Sequence, residues 1–174
     1  LKRQLERLML DGDSVHVISS SLTRSLQTAR ECFPDATIVG TDKCIERRGP
    51  NESDRRRALQ QIKAEFPNVS FTQDTEDDPE YTKFDTDKEE PIDGSLVSPK
   101  CLERAKDFLS WVEESFAPTH NIVIGFTSAV FMHHIVLLDQ VYDVNGKDKK
   151  GIHFSNAGVY VMKLAKTRKK KEEE

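Results

Sequence analysis

Short apolar runs alternate with helix-like stripes of apolar residues along this chain. The runs predict buried β-strands, because strands covered on both faces read as nearly continuous apolar sequence. The four predicted strands are Val15 to Ile18, Ala36 to Val39, Asn121 to Phe126 and Ala157 to Leu164.

The stretches between these runs have the spacing of amphipathic helices, and one of them begins at the typical cap and first-turn pair Ser98-Pro99. The apolar stripe of that helix is Leu102, Ala105, Leu109, Val112 and Phe116. The other predicted helices are Leu1 to Leu8, Leu22 to Cys32, a helix from near Ser53 to Pro67 that buries Leu59, Ile62 and Phe66, and Ser128 to Leu138. Helices between parallel strands predict an α/β fold, with a mostly parallel sheet and helices on both faces.

The length of 174 residues suits one domain, which we place at residues 1–165. Residues 72–97 are acidic and turn-prone, which predicts a mobile surface insertion. Residues 166–174 form a charged tail that we expect to be solvated.

The net charge is −4, from 26 Lys and Arg against 30 Asp and Glu, so charge favours neither nucleic acid nor a membrane surface as a partner. The three cysteines, Cys32, Cys44 and Cys101, are odd in number and lack metal-ligand spacing, which fits reduced thiols in the cytoplasm. We predict no metal site and no disulfide. No apolar run is long enough to span a bilayer, although a targeting segment could lie upstream of Leu1.

A serine-rich turn, Ser19 to Ser21, separates the first of these strands from a helix that carries Arg24 in its first turn. The start of a helix favours negative charge, so an arginine there does not serve helix stability alone. Backbone N–H groups and a forked guanidinium together predict an anion site. The alternative is an exposed arginine on an ordinary helix.

A second polar segment places Glu46 beside Arg47, shortly before Asp54-Arg55-Arg56. A glutamate near a phosphate monoester can protonate the leaving oxygen, and guanidinium groups can bind its other anionic groups. A solvated surface of salt bridges is the alternative interpretation.

Three stretches of the chain resemble the motifs of one protein family, and they occur in the same order. Ser19 to Ala29 resembles the histidine phosphatase superfamily, the phosphoglycerate mutase-like proteins, whose pattern is Ser-Ser-Pro-x-x-Arg-x-x-Gln-Thr-Ala; only the proline differs, as Ser21. Glu46-Arg47-Arg48-Gly49 is similar to the family's Glu-Arg-x-Gly segment. Asp54-Arg55-Arg56 with Phe66-Pro67 downstream further resembles the plant phosphoglycerate mutase-like proteins.

The resemblance implies a phosphoglycerate mutase-like fold and a histidine that attacks a phosphate monoester through a phosphohistidine intermediate, without a metal or organic cofactor. It implies that Arg24 binds the phosphate, that Glu46 is the proton donor and that Arg47 and Arg56 bind the rest of the substrate. The partner would be a phosphorylated small molecule or a phosphoprotein.

Thr127 stands where the family strand ends in Val-Thr-His, at the position of the histidine. A threonine hydroxyl donates one neutral hydrogen bond, whereas the histidine would also carry positive charge, so we expect Thr127 to be a weaker substrate-binding group. His133 and His134 lie further along the following helix, and we predict that they are packing or surface residues.

The family's nucleophilic histidine belongs to an Arg-His-Gly motif at the end of its first strand, and no such motif precedes Ser19. Either the chain is truncated or the motif has been lost. In both cases the first family strand is missing from this chain, and its neighbours would expose unpaired N–H and C=O groups. We therefore expect negligible catalysis, and the alternative function is a non-catalytic module that binds a phosphorylated ligand.

Overall fold

The computed structural model of the chain describes residues 3, 14–47, 52–73, 76, 97–116, 118–120 and 122–140. The predicted N-terminal helix apart from residue 3, the last predicted strand, the charged tail and most of the acidic insertion lie outside the described residues, as do both ends of the predicted domain.

Four parallel strands form a sheet in the order β3-β2-β1-β4. Their bounds are β1, Val15–Ser20; β2, Ile38–Thr41; β3, Val69–Phe71; and β4, Ile122–Phe126. Val17 of β1 lies between Ile38 of β2 and Ile124 of β4, so β1 is hydrogen-bonded along both edges. The predicted α/β fold with a parallel sheet is confirmed.

Four α-helices with described bounds connect or follow these strands. Their bounds are α1, Thr23–Cys32; α2, Leu59–Glu65; α3, Pro99–Ser115; and α4, Ala129–Gln140, and two short 3-10 turns lie at Asp42–Cys44 and Glu52–Asp54. None of the helices in the described ranges is long and apolar enough to cross a bilayer.

Helices cover both faces of the sheet, because neighbouring residues of a strand point to opposite sides. Ile18 packs in a cluster with Phe108 of α3 and Phe131 of α4. Val17, the preceding residue of β1, packs in a separate cluster with Ala29 of α1. The sheet therefore packs against α1 on one side and the α3–α4 pair on the other.

The predicted start of α3 is confirmed, because the Ser98 side chain accepts from the Cys101 N–H at 3.3 Å and Pro99 begins the helix. A buried histidine adds to this cap. The Ser98 N–H donates to Nε2 of His134 at 2.9 Å, and Nδ1 of His134 donates to the Val130 carbonyl at 2.8 Å. His133 and His134 were predicted to be packing or surface residues. Both are buried, so they are packing residues.

Several elements differ from the sequence prediction: β3 was not predicted, and β1 continues to Ser20, two residues beyond its predicted end. β2 begins at Ile38, two residues late, and the face that α3 buries includes Cys101 and Phe108 in place of Leu102 and Leu109. The prediction that α2 begins near Ser53 is wrong.

The late start of α2 has a physical cause. The first amides of the helix donate to Glu76, from Leu59 N–H to its carbonyl at 2.8 Å and from Gln60 N–H to its carboxylate at 3.0 Å. Ala58, with φ −50° and ψ 134°, is not helical and immediately precedes the helix. A residue beyond β3 therefore supplies the partners that helix N-terminal amides need.

Gly40→Ala tests the tight packing between β2 and β3. A Cβ at Gly40 would lie 2.6 Å from the Phe71 ring and 3.1 Å from a Val69 methyl group. Overpacking of this kind costs about 1–3 kcal/mol, so we expect the free energy of unfolding in urea to fall by that amount. The matched control is Gly125→Ala, where the nearest atom is 4.0 Å away, and there we expect no loss. Equal stability of the two variants would contradict the packing described for β2.

Candidate functional site

The predicted site residues lie on segments that follow the carboxyl ends of three neighbouring strands. The Ser21–Leu22 turn follows β1, the segment to Arg47 follows β2, and Thr127 follows β4. Parallel strands bring these ends to one edge of the sheet, the usual place for a ligand site in an open α/β fold.

Arg24 reaches from the first turn of α1 into a group of acceptors. Its Nη1 donates to the Ser53 carbonyl at 2.5 Å, and its Nη2 lies 3.3 Å from Oδ1 of Asp54 and 3.8 Å from Oε2 of Glu46. The Arg24 side chain is 46% exposed, so solvent or a ligand can approach the guanidinium. The sequence predicted an anion at this arginine, and the structure places two of the protein's own carboxylates beside it.

Glu46 is the less exposed partner in this group, with 16% of its side chain accessible. Its Oε1 accepts from the Arg47 N–H at 2.9 Å, and its carboxyl also accepts from the Ser128 hydroxyl. Burial raises the pKa of Glu46, and the Asp54 carboxylate adds to the rise, while the two hydrogen bonds and Arg24 oppose it. A carboxyl whose pKa is raised in this way is suited to donate a proton.

Thr127 makes a different contact from the one that the resemblance implies. Its hydroxyl donates to the Cys44 carbonyl at 2.5 Å. A hydroxyl has one proton to donate, so in this arrangement Thr127 binds the protein backbone and does not donate to a ligand. Arg47 lies half-buried immediately after Glu46, and its described contact is the N–H bond to that carboxylate.

Arg56 does not fit the predicted role of a substrate-binding group. Its side chain has no exposed surface, and its Nε lies 3.0 Å from Oδ2 of Asp42. Its Nη1 donates to the carbonyls of Glu76 at 3.1 Å and Arg57 at 3.2 Å. A buried guanidinium needs such partners, so this arginine serves to join segments of the fold.

The serine turn is also held by internal hydrogen bonds. Ser19 to Ser21 are buried, and the Ser21 hydroxyl donates to Oδ1 of Asp42, whereas Nε of Arg56 donates to Oδ2. Ser20 Oγ accepts from the Leu22 N–H at 3.3 Å. Ser21, at the position of the family's proline, thus links the end of β1 to the turn after β2.

One residue of the site, Arg104 on α3, was missed by the sequence analysis. Its Nη1 donates to the Ile45 carbonyl at 2.6 Å and its Nη2 to the Glu46 carbonyl at 3.2 Å. Its guanidinium also lies over the Phe131 ring, 4.8 Å from the centroid. The available signal was a cation one turn after Cys101, beside the apolar face of the helix.

Within the described ranges, no three His, Cys, Asp or Glu side chains are arranged to hold a metal ion. The chain matches no protein-family model and no curated protein. The likeness to histidine phosphatases therefore rests on the sequence motifs, and the site geometry is an independent observation.

The raised pKa of Glu46 predicts how stability depends on pH. Because the folded protein binds this proton more tightly than the unfolded chain, the added stability is present below the ordinary carboxyl pKa and is lost as pH rises through the raised folded-state pKa. Glu46→Gln should flatten this part of the curve of unfolding free energy against pH, measured by urea denaturation. Glu114→Gln, an exposed change on α3, is the control and should leave the slope unchanged. A slope that survives in Glu46→Gln would contradict the assignment.

Proposed function

We propose that this domain binds a phosphate monoester at the carboxyl end of its sheet, as a histidine phosphatase-like protein with impaired catalysis. One observation carries the proposal: Arg24 and Glu46, which are far apart in sequence, come within 3.8 Å of each other beside the Ser128 hydroxyl. A cation, a carboxyl with a raised pKa and a hydroxyl are the groups that an incoming phosphate ester requires.

Arg24 would carry the main interaction with the phosphate. Its side chain is half-exposed, and its ion pair with Asp54 is of the partly solvated kind that contributes little stability. A phosphate can therefore replace Asp54 at Nη2, and a bidentate contact would also displace the Ser53 carbonyl from Nη1.

Glu46 would act as the proton donor to the leaving oxygen. In its protonated form it no longer repels a phosphate, and it presents an O–H donor at the same place. Binding should therefore strengthen as pH falls through the raised pKa of Glu46, as long as the phosphate keeps its charge.

A second function is a binding module without catalysis, with a phosphorylated metabolite or phosphoprotein as its ligand. The observation that favours it is the Thr127 hydroxyl, which donates to the Cys44 carbonyl at the position where the family has a catalytic histidine. A group committed to the backbone adds no charge to a phosphoryl transition state.

The first test is a titration with inorganic phosphate and phenyl phosphate, followed by amide chemical shifts. We expect shifts from Ser20 to Gln27, and we expect Arg24→Ala to weaken the affinity by about tenfold or more, since a charge-assisted hydrogen bond contributes about 1.5–3 kcal/mol. Lys63→Ala, an exposed change of the same charge on α2, should have little effect.

Two results would contradict phosphate binding at this place. One is an absence of shifts around Ser20 to Gln27, and the other is equal weakening by Arg24→Ala and Lys63→Ala, which would indicate a general charge effect. A phosphoserine peptide titrated in parallel separates a protein ligand from a small metabolite.

Catalysis is the second test. The 174-residue chain has no Arg-His-Gly motif, so we expect no phosphate release from an aryl phosphate above background. Thr127→His alone should not restore activity, because it adds no nucleophile and removes the hydrogen bond to Cys44. Metal-independent turnover by the unmodified chain, lost in Glu46→Gln, would instead indicate a nucleophile elsewhere in the sequence.

A further inference from the structure

Three consecutive backbone carbonyls after β2 accept hydrogen bonds from side chains of other elements. Thr127 donates to the carbonyl of Cys44 at 2.5 Å, and Arg104 donates to those of Ile45 at 2.6 Å and Glu46 at 3.2 Å. The donors come from two places, the end of β4 and the middle of α3.

The side chains of this segment are also fixed. Those of Cys44 and Ile45 are fully buried, so the chain enters Glu46 from a packed core. The backbone carbonyls of Cys44, Ile45 and Glu46 accept hydrogen bonds from Thr127 and Arg104, as carbonyls near a packed core need to. Glu46 is thus the first side chain after a segment that is held both by its apolar groups and by its backbone.

Arg104 is well suited to hold two neighbouring carbonyls. A guanidinium presents several N–H donors in a rigid plane, whereas an ammonium is a point donor on a flexible stem. The ring of Phe131 lies against the guanidinium and restricts it to this position. Replacing the guanidinium by an ammonium should leave either the Ile45 or the Glu46 carbonyl poorly bound.

We propose that Arg104 and Thr127 are positioning residues, which hold the Cys44–Glu46 backbone so that the Glu46 carboxyl lies between Ser128 and Arg24. The role of Glu46 as a proton donor rests on the proposed function, but the positioning itself does not. Thr127 then has a reason to be threonine that is separate from contact with a substrate.

The test is the titration of Glu46 in Arg104→Met, followed by carbon-detected NMR of its carboxyl group. Methionine keeps an apolar stem against Phe131 and loses both donors. If Arg104 positions Glu46, the freed carboxyl becomes more hydrated and its pKa falls toward the ordinary value. Loss of the positive charge alone would raise the pKa, so the direction of the change separates the two explanations.

A second readout is the exchange of the Arg47 amide, which donates to Glu46 at 2.9 Å. We expect Arg104→Met to increase its exchange rate by about tenfold, and Arg104→Lys to give a smaller increase because the ammonium group can still donate to one of the two carbonyls. Lys106→Met, an exposed change on the same helix, should alter neither readout.

Thr127→Val provides an independent variant that keeps the shape and removes the hydroxyl. It should move both readouts in the same direction as Arg104→Met, and the effects should be non-additive in the double variant because both residues act through one segment. If Arg104→Met does not fold, Arg104→Lys and Thr127→Val still carry the test.

An unchanged or raised Glu46 pKa with an unchanged Arg47 exchange rate would overturn the positioning role. Failure of the phosphate titration leaves these readouts intact, so it would reject the proposed function without rejecting the positioning. Phosphate binding together with an unchanged Glu46 pKa and Arg47 exchange rate in Arg104→Met would support the proposed function and reject the positioning role.

Discussion

The pairing of β1 along both edges determines the arrangement of the whole site. Val17 has β2 on one side and β4 on the other, so three strands run together and end together. Their next residues supply the Arg24 helix, the Glu46 segment and Thr127. Because the strands are parallel, their carboxyl ends and these groups lie at the same edge of the sheet.

Two ionic groups at this edge differ in their exposure and hence in what they can do. Asp42 pairs with a completely buried Arg56, so removing Asp42 would take this carboxylate away from a guanidinium that has no exposed surface. Arg24 pairs with Asp54 while remaining half-exposed, and such a pair is readily exchanged. The first group holds the loops together, and the second leaves a cation available to an incoming anion.

The features that depend on neighbouring residues were predictable from the sequence, whereas those that depend on distant partners were not. Ser98 and the apolar residues after it predicted α3 because a cap and a stripe are local signals. The start of α2 depends on Glu76, which lies beyond the next strand. At the site, the nearness of Arg24 and Glu46 followed from the family resemblance. Arg104 was missed because it binds main-chain carbonyls, which every residue carries and no sequence pattern marks.

The hydrogen bonds of His134 determine which proton chemistry α4 can supply. Its Nε2 accepts from the Ser98 amide while its Nδ1 donates to Val130, so both ring nitrogens already have partners and the ring is held as one neutral tautomer. To take up a second proton, the imidazole would have to give up the amide at the start of α3. This histidine therefore joins the start of α3 to α4 and takes part in the packing of the fold.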